Sequence, residues 1–525
     1  MFNVQCLKQA NQYLMVTCLL FSTTLLSTKD ALAQSDTAQV PAGEKSQPPM
    51  TDSGDRLKAP NLSSNIVVPP GNQEIISEIV VRYFDRDGNP VSGKTNPEVI
   101  TQEFDLQPGD VYDAELAREG LAGVLKLGIV SQASLTLEKI NESQAVMAIA
   151  VQEGSPISIG FSLTLPPPTA LQGPVKPLPV EAVSDSADGF GAGAQIGLLN
   201  LGGRNQELDL GLEGGTESFG VNLGYRRFLR HNRGFGVNVF NRRGIEPEFD
   251  EGEQEVNLPS NGDPWVDRLG GGFEYFQPIV ADVQGAIGLS YQRVAVRDGA
   301  FSADIELLDE LGNQLTVSET GLDDVLTINF AAVWDRRDKP KNTTQGFKLE
   351  FGSDQYLPVG DADILANRLA ANYTQYFPVP LFGFGQGAKT LLVNLQGGTI
   401  LGDAIPYDAF ILGGSSSVRG YDSSEISTAR SFIQASVEYR YPIFSFNALR
   451  REFDVGGTLF VDYASDLGSA DDVIGQPAVA RERPGDGLGY GLGLRTTTPI
   501  GVVRTEFALN DQGDTDFIFT IGDRF

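Results

Sequence analysis

Apolar and polar side chains alternate along most of the chain after Pro156. In the stretch 432–441, Ile433 and Val437 lie on one face of an extended chain, and Glu438 and Arg440 lie on the other. A period of two predicts β-strands that have one apolar and one polar surface. About sixteen such segments follow one another, at residues 157–165, 191–199, 206–212, 219–225, 235–240, 269–275, 286–294, 326–334, 347–351, 365–376, 391–398, 432–441, 455–463, 488–495, 503–509 and 517–525.

Charged side chains occur on the polar face, deep inside several of these segments. Glu438, Asp462, Arg495 and Glu506 all lie within predicted strands. The core of a soluble β-sandwich would exclude such charges, whereas a membrane barrel with a wet interior accepts them. A closed barrel also lets strands cross lipid with every backbone group paired. The sequence therefore predicts a mainly β protein with a transmembrane antiparallel barrel of about sixteen strands over residues 156–525.

A different pattern covers residues 73–153. It predicts a strand at 75–84, a helix that begins at Asn96, a second helix over 113–127, and strands at 134–140 and 144–152. Asn96 followed by a proline is typical of a helix start, and the second helix carries apolar residues at helical spacing. This order predicts one small α+β domain in front of the barrel.

Residues 1–33 have the features of a secretory signal: Lys8, an apolar run and a small-x-small site at the end. A short transmembrane anchor is the alternative, although the apolar run is shorter than a spanning helix needs. Both cysteines, Cys6 and Cys18, lie in this segment, so no disulfide or thiolate site is expected after it. Residues 34–72 are rich in Ser, Pro, Gly and Gln and are predicted to be a disordered linker.

The charge balance narrows the classes of function. Lys and Arg total 39 against 68 Asp and Glu, a net charge of −29, which argues against a nucleic-acid partner. The stretch 246–255 holds six of the acidic residues with no basic one between them. We expect it to be a solvated loop, and specific cation binding is the less favoured alternative. The chain has one histidine, His231, and no cysteine after residue 33. The sequence therefore shows no nucleophile–base pair and no metal cluster. We therefore expect no enzyme activity, no cofactor and no metal.

Connections between the predicted strands alternate in length. Short turns occur at 200–204 and 496–501, and long loops at 166–188, 244–267, 298–324, 402–430 and 464–486. Such barrels have short turns at one end and long loops at the other. We expect the short turns on the periplasmic side and the long loops outside.

Four motifs resemble those of one family. They are the loop 413–421 with Val418, Arg419, Gly420 and Tyr421, the turn with Asp335, Arg337, Asp338 and Gly346, the hairpin 495–504, and the C-terminal pattern of Phe517, Phe519, Gly522 and Phe525. In their order along the chain, these motifs resemble those of the BamA/TamA outer-membrane assembly superfamily, also called the bacterial surface antigen family. Residues 73–153 in turn resemble a POTRA domain, the periplasmic module of that family, of which its best-known members carry several.

The resemblance implies an outer-membrane protein that captures client polypeptide with its POTRA-like domain and templates strands at a lateral seam of the barrel. It implies outer-membrane lipid, unfolded client polypeptides and accessory periplasmic or lipoprotein subunits as partners, and it makes the C-terminal aromatic residue an insertion signal. A polypeptide-translocating pore and a solute-conducting porin remain as alternatives.

Two local interpretations follow from the residues. Counting in steps of two places Glu438 and Asp462 on the inner face of the barrel, where Arg419 on a long glycine-containing loop can form charge-assisted bonds with both. The resemblance makes this latch a buttress for the wall near the seam rather than a catalyst.

The first strand runs into Pro166, which donates no ladder hydrogen bond, so its pairing with the last strand is predicted to be weak.

Overall fold

The computed structural model describes residues 66–162, 191–250, 252–280, 282–339, 342–448, 451–498 and 501–525. The predicted signal segment, most of the predicted linker and the 166–188 loop lie outside the described residues. In the part of the chain that is described, no helix has the length and apolar character needed to cross a bilayer.

A small α+β domain precedes the large sheet. Its elements are β1 (Ile75–Phe84), β2 (Pro90–Val91), α1 (Pro97–Thr101), α2 (Ala114–Lys126), β3 (Val130–Lys139) and β4 (Gln144–Glu153). Asp113 begins α2 because its carboxylate accepts hydrogen bonds from the first free amides of that helix. Leu121 and Val124 of α2 are buried with Met147 and Ile149 of β4. The sheet has the order β2-β1-β4-β3, with β1 parallel to β4, so β3 is an edge strand.

Sixteen strands form one antiparallel sheet, and each predicted segment overlaps one of them. They are β5 (Ile157–Ser162), β6 (Gly191–Leu198), β7 (Gln206–Gly215), β8 (Ser218–Leu229), β9 (Arg233–Ile245), β10 (Trp265–Val280), β11 (Val283–Arg297), β12 (Asp323–Asp335), β13 (Gly346–Leu357), β14 (Ala366–Pro378), β15 (Thr390–Gly402), β18 (Ser431–Ala448), β19 (Arg451–Ser465), β20 (Asp486–Thr498), β21 (Gly501–Asn510) and β22 (Thr515–Ile521). A separate hairpin, β16 (Phe410–Leu412) and β17 (Ser427–Ala429), lies in the loop between β15 and β18, and a short helix α3 (Pro477–Ala480) lies in the loop before β20. The predicted fold class is confirmed.

The two faces of the sheet differ as the alternation predicts. On β18, Ile433 and Val437 are 47% and 46% exposed, whereas Ser436 and Glu438 are 0% and 2% exposed. The apolar set therefore forms the outer wall, and the polar set faces the interior of the barrel.

The last strand is shorter than predicted. The sequence predicted a strand over 517–525, but β22 ends at Ile521. Gly522 has φ of 142°, a conformation that side chains other than hydrogen disfavour. The chain leaves the sheet at this glycine, and the residues after it belong to a site described below.

The two ends of the barrel are different. The short turns lie next to the α+β domain, and we call this the domain-proximal end. Four described loops at the other end, 244–267, 298–324, 402–430 and 464–486, contribute to an apolar cluster that includes Phe249, Leu258, Leu315, Phe410 and Val473. These loops are therefore packed in part, whereas Phe301 and Leu311 of the loop 298–324 are 88% and 52% exposed.

The acidic loop 246–255 is partly buried, contrary to expectation. Glu246 and Glu248 are 5% and 1% exposed. Glu246 accepts a hydrogen bond from Arg268 Nε at 2.6 Å, and Arg268 also pairs with Asp408 at 3.1 Å. The basic partner comes from β10 and not from the loop itself, so the local sequence could not indicate it.

Candidate functional site

The loop 403–430 enters the interior of the barrel. Its backbone lies against β20 and β21: a Cβ on Gly489 would come 1.9 Å from the carbonyl oxygen of Arg419. A Cβ on Gly420, which has φ of 99°, would approach the backbone of Leu509 and Asn510. Glycine at these two positions permits the close approach of loop and wall. Val418 and Tyr421 on either side are 0% and 1% exposed.

Arg419 is the centre of a buried charged cluster. Its Nε lies 2.7 Å from Oδ2 of Asp462 and its Nη2 lies 3.1 Å from Oδ1, a bidentate pair. Its Nη1 lies 3.1 Å from Oε2 of Glu438 and 2.9 Å from Oε1 of Glu506. The guanidinium also sits 3.4 Å from the ring centroid of Phe460. Arg419 and Asp462 are both 0% exposed, so each charge depends on these partners.

The structure brings together the three residues that the sequence placed in one latch, and it adds a third carboxylate. Glu506 was predicted to face inward but was not assigned to Arg419. Two further cations balance the carboxylates: Arg440 Nε binds Glu438 at 2.6 Å, and Arg504 Nη1 binds Glu506 at 3.3 Å. Both arginines face inward by the same alternation that places the acids.

Sequence reasoning missed the contribution of the residues after β22. Asp523 accepts hydrogen bonds from Arg440 at 3.1 Å and from Arg495 at 2.9 Å. Arg524 donates from Nη1 to Oδ2 of Asp462 at 3.0 Å and also binds the carbonyl of Ser417. The segment after Gly522 therefore turns into the interior and joins the Arg419 cluster.

The signal for this turn is present in the sequence. The alternation of Phe517 and Phe519 stops at Gly522, and two charged residues follow. Phe525 is not part of the strand, and the Arg524 guanidinium lies 4.9 Å from its ring centroid. Phe517 and Phe519 are 68% and 48% exposed on the outer wall.

The turn motif after β12 stabilises its own hairpin. Arg337 and Asp335 form a bidentate pair, with Nε to Oδ1 at 2.9 Å and Nη2 to Oδ2 at 2.7 Å. Asp338 accepts from the amide of Thr344 at 2.9 Å. Gly346 has φ of 103°, and a Cβ there would lie 2.1 Å from the carbonyl of Arg336. This motif fixes a turn at the domain-proximal end.

The α+β domain contacts two turns of the barrel. The amide of Asn96 donates to the carbonyl of Gly203 at 2.8 Å, and Asn200 Nδ2 donates to Oγ1 of Thr95 at 2.8 Å. Asp105 forms an ion pair with Arg230. The neighbouring carboxyl group of Glu103 has its pKa raised by burial. The domain is thus held by a few polar contacts at the end where the turns are short.

The free ends of the large sheet are β5 and β22. Strand order runs from β22 through to β5, and within the described residues no backbone ladder joins these two strands. The described ranges also contain no group of three or more His, Cys, Asp or Glu side chains that could hold a metal ion. In the described part of the chain, the site is therefore a charged interior cluster beside a sheet edge that has no paired strand.

Comparison with known proteins gives a consistent family. The chain is 29% identical over 472 residues to outer envelope protein 80, chloroplastic, of Arabidopsis thaliana, covering 88% of this chain and 58% of that protein. It is 27% identical over 508 residues to protein TOC75, chloroplastic, of Pisum sativum, covering 89% of this chain and 58% of that protein. The chain thus spans about three fifths of the length of these relatives.

Two solved structures have a similar fold. BamA from Haemophilus ducreyi lacking POTRA domains 1–3 aligns with a TM-score of 0.55 at 16% identity, covering 84% of each chain. CdiB from Acinetobacter baumannii aligns with a TM-score of 0.53 at 15% identity, covering 85% of this chain and 73% of that one. The Omp85 superfamily domain matches residues 200–525, so the chain belongs to the Omp85 superfamily.

Proposed function

We propose that this protein assembles polypeptides into an outer membrane, receiving clients on its α+β domain and templating their strands at the edge between β5 and β22. The edge between β5 and β22, where the described residues form no backbone ladder, carries the proposal. Edge strands present rows of free backbone donors and acceptors that pair readily with another chain. A client strand placed there would continue the ladder of the sheet.

The α+β domain supports this role as a POTRA-like receiver. β3 is an edge strand of its sheet, so an extended client can add to it by β-augmentation. The domain lies at the end with the short turns, which is the periplasmic end if the long loops face outward. The relatives of the chain include a protein whose name places it in the outer envelope of chloroplasts.

The contents of the barrel favour this function over the solute-conducting porin. The loop 403–430 occupies the interior and is tied to β18, β19 and β21 through Arg419. Loops at the far end form a continuous apolar cluster. A porin needs an open aqueous channel, and these elements obstruct one. Translocation of a polypeptide through the interior stays as the second candidate, since the loop could move aside.

A reversible lock across the edge tests the proposal. Ser158 of β5 faces the interior. A Cβ built on Gly197 would lie 2.3 Å from the Ser158 hydroxyl and 2.8 Å from the Asp209 carboxylate, so these groups are on the same face of the sheet. Ser158→Cys is combined in turn with Cys at Asp516, Ile518 or Thr520 of β22, in a Cys6→Ser, Cys18→Ser background. The pair that cross-links spontaneously is kept, because a disulfide requires Cβ atoms about 4 Å apart.

The readout is the folding of a urea-unfolded eight-stranded barrel protein into vesicles that contain the locked protein. We expect the lock to abolish the acceleration of client folding, and a reductant to restore it. Each single-cysteine variant serves as the control and should be active. Full activity in the locked state would contradict the seam, and a large steady conductance of the unlocked protein would favour the pore.

A further inference from the structure

One turn at the domain-proximal end differs in chemistry from its neighbour. The segment 379–389 between β14 and β15 contains Leu381, Phe382 and Phe384, and no charged residue occurs before Lys389. Their exposures are 65%, 42% and 81%. The adjacent turn, 336–345, consists of polar and charged residues apart from Pro340. We call 379–389 the aromatic turn.

The aromatic turn folds outward onto the lipid-facing wall. The Phe382 ring centroid lies 4.9 Å from those of Tyr439 and Tyr441. These tyrosines belong to the outer face of β18, since Glu438 and Arg440, on either side of Tyr439, point into the interior cluster. Tyr439 is only 5% exposed, which reflects this cover.

Alternating glycines let the turn lie flat on the wall. A Cβ on Gly383 would come 3.3 Å from Pro442, and one on Gly385 would come 3.0 Å from the carbonyl of Ile443. The Phe384 ring meets Tyr441 edge-on, with the two ring centroids 6.2 Å apart, and the side chain is still 81% exposed.

Four backbone amides of the turn donate to groups of β18. The amides of Leu381 and Phe382 donate to the Tyr439 hydroxyl at 3.0 and 3.1 Å. The amides of Phe384 and Gly385 donate to the carbonyl of Pro442 at 3.0 and 3.2 Å. Paired backbone donors are the requirement for a segment that contacts hydrocarbon.

We propose that the aromatic turn is a membrane-binding element, which inserts Phe384 and its apolar neighbours into the interfacial layer of the lipid bilayer. The apolar surface is continuous with the outer wall through exposed Phe377, Phe444 and Phe446. Aromatic side chains concentrate at this depth of a bilayer. Lys389 ends the apolar stretch, where its charge can reach the headgroups while its stem stays in the apolar layer. The turn holds the domain-proximal rim at a fixed depth.

Spin-label accessibility in vesicles of phosphatidylcholine tests this proposal. A nitroxide is attached to Phe384→Cys, with Leu395→Cys on the outer wall as the lipid reference and Asn342→Cys in the adjacent polar turn as the water reference. All three carry Cys6→Ser and Cys18→Ser. We expect the label at 384 to collide more with oxygen than with a water-soluble nickel complex, as at 395, and the label at 342 to show the reverse.

Two results would overturn the proposal. The first is a label at 384 as accessible to nickel as the label at 342. The second is a label at 384 shielded from both reagents, which indicates that another copy of the protein covers the turn. Should Phe384→Cys fail to fold, Gln386→Cys places the label beside intact Phe382 and Phe384, and the same readings apply.

Discussion

Arg524 and Arg419 bind the same carboxylate oxygen of Asp462. Arg524 Nη1 lies 3.0 Å and Arg419 Nε lies 2.7 Å from Oδ2. One residue follows the last strand and the other lies in the interior loop. The edge strand β22 and the loop 403–430 are therefore joined through one side chain of β19. A displacement of either element would strain the hydrogen bonds that hold the other.

Removal of Arg419 should strongly destabilise the barrel. Arg419→Ala leaves Asp462, Glu438 and Glu506 buried without their shared cation, and breaking such a pair costs about 3–5 kcal/mol. The free energy of unfolding in detergent, followed by denaturant titration, measures the loss. Arg430→Ala is the control, because its ion pair with Asp472 is 3.6 Å long and partly exposed and is worth about 0–1 kcal/mol. Equal losses in both variants would show that the cluster does not stabilise the barrel.

Arg524 and Asp462 should be energetically coupled. Arg524→Ala, Asp462→Asn and the double variant form a mutant cycle, for which residues in contact give coupling energies of about 0.5–3 kcal/mol. The matched control cycle combines Arg524→Ala with Arg243→Ala on β9. The two changes in unfolding free energy should add within about 0.5 kcal/mol. A coupling energy near zero for the first cycle would mean that the segment after β22 is not held by the cluster.

Glu425 should make stability depend on pH. Burial raises the pKa of its carboxyl group to about 7, and the nearby Asp422, Asp514 and Asp516 raise it as well. A carboxyl group whose pKa is raised in the folded state stabilises the fold at low pH and loses this contribution as pH rises through its folded pKa. The unfolding temperature should therefore fall between about pH 5 and pH 8, and Glu425→Gln should flatten that fall. The exposed Glu319→Gln should leave the profile unchanged; a wild-type slope in Glu425→Gln would assign the dependence to another group.

Gly203 should control how the α+β domain sits on the barrel. A Cβ at this position would lie 2.2 Å from the carbonyl of Lys94. Gly203→Ala therefore displaces the domain and breaks the bond between the Asn96 amide and the Gly203 carbonyl. Electron paramagnetic distance measurements between labels at Asp87→Cys and Asn342→Cys should show a shifted or broadened distribution. Gly214→Ala, where a Cβ meets nothing within 4 Å, should not change the distribution, and an unchanged one in Gly203→Ala would show that this contact does not hold the domain.

The alternation of side chains was enough to predict the barrel and part of its site. Because the period of two fixes which side of a strand each residue faces, it placed Glu438, Asp462 and Glu506 in the interior. The alternation could not predict features that depend on contacts between residues far apart in the sequence. The burial of Glu248 depends on how distant loops pack, and the inward turn of Asp523 depends on a single glycine conformation. The outward fold of the aromatic turn rests on the Tyr439 hydroxyl of another hairpin.

Site-specific photocrosslinking to a client tests the central claim most directly. A photoreactive benzoylphenylalanine replaces Phe517, which lies on the outer wall of β22 and is 68% exposed, or Phe273, which lies on the outer wall of β10 and is 48% exposed. Both variants are illuminated in vesicles while an unfolded eight-stranded barrel protein is folding. The proposed function predicts client adducts at 517 and none above background at 273. Equal adducts at both positions, or none at 517 while client folding is still accelerated, would contradict assembly at the edge between β5 and β22.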